Sequence, residues 1–170
     1  MSRVIYSLYI DIPEDDLDFF DKNIIKKDQI PTNINTKNKF KEHHQKIVDN
    51  KKQYADNIGV DYFLHENDEN FKHYVKYFKT HYPFITMYNI VNFYKLELMN
   101  NYLHDYDEVL YLDFDVVPTT DQSFFDVWDL SKGICVLENT DKAKKIENIT
   151  EYSQTIRSPT SKYYNSQAIL

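Results

Sequence analysis

Glycine is nearly missing from this chain: Gly59 and Gly133 are the two among 170 residues. No glycine-rich loop can be assembled from them, so neither a dinucleotide fingerprint nor a P-loop is available to cradle phosphates with backbone amides. A diphosphate bound here has to be neutralised by side chains or by a metal. Cysteine is scarcer still. The single Cys135 lies in the apolar run Gly133-Ile134-Cys135-Val136-Leu137, where it reads as a small buried hydrophobe. No disulfide can form within the chain, which fits a reducing compartment and a cytoplasmic location. Long apolar runs are also lacking. No stretch is long enough to span a bilayer, and Met1 to Tyr6 carries no signal-peptide core. Clustered positive charge is lacking: the net charge is −7 and the lysines, though numerous, are interleaved with acids, which argues against a nucleic-acid surface.

What is present is enough for a folded domain. Hydrophobic residues make up 42% and aromatic residues 16%, which excludes a disordered chain. The length predicts one domain over residues 1–170. Val4 to Ile10 reads as a buried strand ended by Asp11 and Pro13. The acidic stretch to Asp21 reads as a loop or short helix, and Lys26 to Lys37, interrupted by Pro31, as a long surface connection. A helix is expected over Asn38–Ile58, with Phe40, His44, Ile47, Val48, Lys51, Tyr54, Ala55 and Ile58 at helical spacing and Gly59 as a left-handed cap. A second strand follows over Val60–His65, then a short aromatic helix over Phe71–Phe78. The next helix, Ile85–Leu103, carries Lys95 inside its apolar stripe, where the stem can pack while the ammonium escapes. Further on, the pattern predicts a short helical or irregular aromatic piece at Phe124–Leu130, a strand at Ile134–Leu137, a charged helix at Asp141–Tyr152 and a last strand at Tyr163–Leu170. The six histidines show no zinc-ligand spacing and read as surface or satisfied core residues.

The chain is organised around Asp107-Glu108-Val109-Leu110-Tyr111-Leu112-Asp113-Phe114-Asp115-Val116-Val117-Pro118. The run Val109–Leu112 is the length of a buried strand, and it ends in two aspartates. In an extended segment residues two apart share a face. Asp113 and Asp115 are thus expected to aim two carboxylates at one point, with Phe114 turned away. At the carboxyl end of a strand in an open α/β sheet lies the ligand crevice. Two carboxylates there suit Mg²⁺ or Mn²⁺, completed by substrate phosphates. The plainer alternative is that an aspartate at a strand end caps a turn.

This order of elements, with these residues, resembles the GT-A fold of nucleotide-sugar-dependent glycosyltransferases, and within it the glycogenin-like and galactosyltransferase-like members often called family eight. Val109 to Val117 is similar to the family's metal-binding stretch. Asn92-Phe93-Tyr94-Lys95-Leu96 resembles the family's Tyr-Arg-Leu segment, with Lys in place of Arg. Tyr164-Asn165-Ser166-Gln167-Ala168-Ile169-Leu170 resembles the later strand that lines the donor-sugar pocket, with Gln167 where the family usually has Gly. The usual Thr-Asp pair near the base is absent from Tyr9-Ile10-Asp11, and the family's third metal ligand, a downstream His, has no counterpart.

The resemblance implies a Rossmann-like α/β sandwich with a mostly parallel sheet, incomplete at the C-terminus and completed by a longer polypeptide or a partner. It implies sugar transfer from a nucleotide-diphosphate donor, a UDP-sugar being favoured, to an acceptor that is a glycan, a protein or a small molecule. Mn²⁺ or Mg²⁺ is the implied cofactor, held by Asp113 and Asp115. Tyr9, Asp11, Lys95 and Phe114 are the implied nucleotide contacts, and Asn165, Ser166 and Gln167 the implied sugar contacts. No residue stands out as a catalytic base or nucleophile. Two other readings compete: a haloacid-dehalogenase-like phosphatase with Asp113 as nucleophile, and a nucleotide-sugar-binding module without turnover.

Overall fold

The computed structural model of the chain describes residues 1–24, 30–127 and 133. The chain divides into two units, Met1–Ser123 and Phe124–Leu170. Among the described residues the first holds a parallel sheet and four α-helices: β1 (Arg3–Leu8), α1 (Phe19–Ile24), α2 (Ile30–Ile58), β2 (Asp61–His65), α3 (Glu69–His81), α4 (Met87–Tyr102) and β3 (Glu108–Tyr111). A single 3₁₀ turn, Glu14–Asp16, follows β1. In the second unit the described helix is α5 (Phe124–Val127). The expected elements at Ile134–Leu137, Asp141–Tyr152 and Tyr163–Leu170 lie outside the described residues, as do Asn165, Ser166 and Gln167. No helix among the described residues is long and apolar enough to cross a membrane.

The sheet order is β2-β1-β3. β1 pairs in parallel with β2 from Val4 opposite Asp61 to Leu8 opposite His65. On its other edge it pairs in parallel with β3, from Arg3 opposite Glu108 to Tyr6 opposite Tyr111. The central strand is therefore covered on both faces and both edges. Every residue from Val4 to Leu8 is buried, which is why β1 is a near-continuous apolar run. Tyr6 and Leu8 point into a core made with Phe71 of α3 and Met87, Ile90, Tyr94 and Leu98 of α4. Alternation sends Ser7 to the opposite face, where Lys51 of α2 meets it. Helices thus cover both faces of β1.

The helix boundaries differ from the expected ones for local reasons. Asp68 accepts from the Phe71 amide at 2.9 Å and so starts α3 at Glu69. Thr86 accepts from the Asn89 amide at 3.3 Å and so starts α4 at Met87. Side chains of this kind satisfy the amides that a helix start leaves free. The larger correction is in the connection expected over Lys26–Lys37, most of which is helix: α2 begins at Ile30. Pro31 falls in its first turn, where a missing N–H deprives the helix of nothing. Gly59 has φ +71°, the left-handed cap that ends α2.

Candidate functional site

The strand order reverses at β1: β2 lies on one side, and the chain then crosses over to place β3 on the other. In open α/β sheets such a reversal leaves a crevice beyond the carboxyl ends of the two strands, because their following loops diverge. A pocket of about 230 Å³ opens there. Leu8, Tyr9 and Ile10 line it from the end of β1, Asp113, Phe114 and Asp115 from the end of β3, and Phe40 from α2.

Asp113 and Asp115 both border this pocket, but a pleated strand is not what brings them there. β3 ends at Tyr111, and the Val116 amide donates to the Asp113 carbonyl at 3.0 Å. The segment Asp113–Val116 is thus a tight turn. The expectation that Phe114 turns away from the site is corrected with it. Phe114 is buried and forms part of the pocket wall. Its ring lies 4.5 Å from that of Tyr9, 5.3 Å from that of His44 and 5.9 Å from that of Phe40. Apolar rings sheltered from water gain more in this cluster than in an exposed loop. The aspartate side chain assists the turn, since Asp113 Oδ1 accepts from the Phe114 amide at 3.2 Å.

The two carboxylates differ in their surroundings. Asp113 Oδ1 also accepts from the Tyr111 hydroxyl at 2.8 Å and lies 3.6 Å from Lys95 Nζ. Burial first, and then the Asp113 charge, hold the Tyr111 phenol well above its ordinary pKa, so that it remains a donor. Oδ2 of Asp113 and both oxygens of Asp115 have no donor among the described residues. Asp115 is exposed. These free oxygens belong to hard anionic groups, which fit Mg²⁺ or Mn²⁺, ions that take one or two carboxylates and complete their shell with water and phosphate. Among the described residues no third His, Cys, Asp or Glu joins them.

Lys95 lies where its stem is buried, 7% exposed, with its ammonium on Asp113 and 5.1 Å above the Tyr111 ring. It does not escape to solvent as a snorkelling lysine does. Asp11 is placed differently from Tyr9 and Phe114. Its carboxylate is held by two lysines one turn apart on α2, Lys37 and Lys41, each at 2.7 Å. Burial alone raises the Asp11 pKa, but hydrogen bonds and charge from these lysines outweigh it, and the pKa is lowered. Asp11 is therefore occupied by these lysines and does not line the pocket.

Two further residues belong to the site. His44 stacks on Phe114, meets the Tyr9 ring edge-on at 4.7 Å, and pairs with Glu66 at 3.1 Å. Lys51 is fully buried. Its Nζ donates to the Asp113 carbonyl at 2.6 Å, to Ser7 Oγ at 2.9 Å and, more weakly, to the Leu112 carbonyl at 3.5 Å. Burial pulls its pKa down to about 8, against the charges of Asp113 and Asp115, which raise it.

The chain matches no protein-family model, no curated protein and no solved structure.

Proposed function

We propose that this chain is a metal-dependent, GT-A-type glycosyltransferase domain that binds a nucleotide-diphosphate sugar, a UDP-sugar being favoured, at the crevice beyond β1 and β3. The observation that carries the reading is the placement of two carboxylates with free oxygens at a strand-order reversal, facing an aromatic-walled pocket. Asp113 Oδ2 and Asp115 are the groups that would hold Mn²⁺ or Mg²⁺. An ion held there would neutralise the diphosphate and offset the charge that develops as the sugar–oxygen bond breaks.

The chain's own residues supply the rest. Tyr9, with Phe114 behind it, gives the base an aromatic surface on which to stack. Lys95 and Lys51 add two positive groups around Asp113. They match the two negative charges of Asp113 and Asp115, so a neutral metal–diphosphate ester meets a site without excess charge. The lack of glycine loops fits this division of labour, since side chains and metal carry the phosphates. Asn165, Ser166 and Gln167 remain the proposed sugar contacts, and the acceptor is a glycan, a protein or a small molecule.

The test is thermal denaturation with UDP or a UDP-sugar, in Mn²⁺ and again in EDTA. Binding to the native state alone raises the melting temperature in proportion to the logarithm of ligand over Kd. A shift in Mn²⁺ that collapses in EDTA is the expected result. Equal shifts under both conditions remove the metal, and no shift under either removes the nucleotide.

A further inference from the structure

Lys51 is the costliest feature of the core. A lysine is almost never fully buried unless it is paired with an acid, because stripping an ammonium of water costs several kcal/mol even after relaxation. Lys51 is 0% exposed, yet the three atoms it meets are uncharged: the Asp113 and Leu112 carbonyls and the Ser7 hydroxyl. The nearest acids, Asp113 and Asp115, act on it through space. Its ammonium also lies 5.3 Å from the centroid of the Phe114 ring.

Those contacts are not needed to satisfy the backbone. The Asp113 carbonyl already accepts from the Val116 amide at 3.0 Å. The Leu112 carbonyl already accepts from Ser7 Oγ at 2.7 Å. An apolar side chain of similar length in place of Lys51 strands neither carbonyl and removes the cost of stripping an ammonium of water. Folding therefore gains little from the charge. What the charge does is grip the first residue of the turn bearing Asp113, Phe114 and Asp115 and offset the repulsion of the two carboxylates.

We propose that Lys51 is a positioning residue. Its buried ammonium clamps the Asp113–Val116 turn to β1 through Ser7 and so holds Asp113 and Asp115 in place for a divalent cation carrying a nucleoside diphosphate. The role in ligand binding rests on the function proposed above; the clamp itself does not.

The experiment compares the wild-type chain with Lys51→Met and Ser7→Ala in three measurements. Hydrogen exchange of the Val116 amide reads the turn. Melting temperature reads the fold. Mn²⁺ affinity by electron paramagnetic resonance, with and without UDP, reads the site. In Lys51→Met, Val116 exchanges faster while the amides of the β1 ladder keep their protection. The melting temperature is unchanged or higher, and Mn²⁺ affinity falls roughly 10–100-fold, the scale seen when residues behind metal ligands are removed. Ser7→Ala moves exchange and affinity in the same direction by less. Collapse of the fold in Lys51→Met overturns the proposal, because the charge is then structural. Unchanged Val116 exchange overturns the clamp. A loosened turn with unchanged Mn²⁺ affinity overturns the positioning role. A wild-type chain that binds neither Mn²⁺ nor UDP sinks the proposed function together with that role, and the exchange comparison then decides the clamp alone.

Discussion

Lys95 Nζ lies 3.6 Å from Asp113 Oδ1, across the gap between the middle of α4 and the end of β3. The same oxygen takes the Tyr111 hydroxyl, so one side of the carboxylate is fully engaged and the other faces the pocket. This arrangement separates two possible uses of a lysine in an apolar stripe. Lys95→Met keeps the stem and removes the charge. Nucleotide affinity in Mn²⁺ should fall about tenfold, the equivalent of one lost charge-assisted contact. Stability should stay within about 1 kcal/mol, because Asp113 is 41% exposed and water can replace the ammonium. Calorimetric titration with UDP checks it, and undiminished affinity would mean that Lys95 serves only the packing of α4.

The two aspartates should separate in stability while agreeing in binding. Asp115 is exposed and has no partner among the described residues, so Asp115→Asn should change unfolding free energy by no more than about 0.5 kcal/mol. Asp113 faces Lys95 and accepts from Tyr111 and the Phe114 amide. Asp113→Asn keeps an acceptor but gives up charge, which should cost about 1 kcal/mol. Both variants should lose most Mn²⁺ affinity. Urea denaturation beside Mn²⁺ titration tests this pair of results. Intact Mn²⁺ binding in either variant would remove that carboxylate from the site.

Much of the scaffold was legible in the sequence, and the reasons are local. The uninterrupted Val4–Leu8 run could only be a strand buried on both faces, and Gly59 marked where α2 must stop. The D-x-D stretch announced the end of β3. What sequence alone misplaced was the geometry past that end. Period-2 alternation assumes that the chain stays extended, whereas the Val116–Asp113 hydrogen bond bends it and turns Phe114 inward. The start of α2 was hidden because its first turns are polar and contain Pro31, which reads as loop until its position in the first turn is known. Lys51 and Ser7 were missed as a pair. Each is a polar residue at a core position of an apolar pattern, and together they imply one buried contact that neither implies alone.

Acid should unfold the domain in two stages. His65 is partly buried and its pKa is lowered by burial, against the charge of Asp68. The unfolded chain then takes up a proton first, so stability falls as pH drops below about 6.5, the ordinary histidine value. Asp18 is held down to about 2, first by the hydrogen bond from Lys79 and then by a backbone amide. Its contribution is whole above about 4 and drains away as pH falls toward 2. Unfolding free energy followed from about pH 8 to about 2 should fall less steeply at its acid end in Asp18→Asn, where the lowered Asp11 still contributes, and should lose its upper slope in His65→Phe. A slope that survives either change belongs to other groups.

The last prediction concerns what holds α4, and with it Lys95, in place. Asp21 is 6% exposed. Its Oδ1 accepts from the Met87 amide at the start of α4, and its Oδ2 takes Lys79 at 3.0 Å and the Asp18 amide at 3.3 Å. One carboxylate thus ties α1 to the end of α3 and the beginning of α4. Asp21→Ala leaves the Met87 N–H buried without its acceptor and strips Lys79 of one partner, though Asp18 still holds that ammonium at 2.6 Å. Losses of this kind run to about 2–4 kcal/mol. The Mn²⁺ and UDP affinity of the molecules that remain folded should not change, because Lys95 lies two turns beyond the capped end and is fixed there by its own burial. Urea denaturation supplies the first number, and titration well below the melting temperature supplies the second. A stability loss under about 1 kcal/mol would show that water replaces the carboxylate at Met87, and a fall in affinity at full folding would show that the anchor reaches into the site.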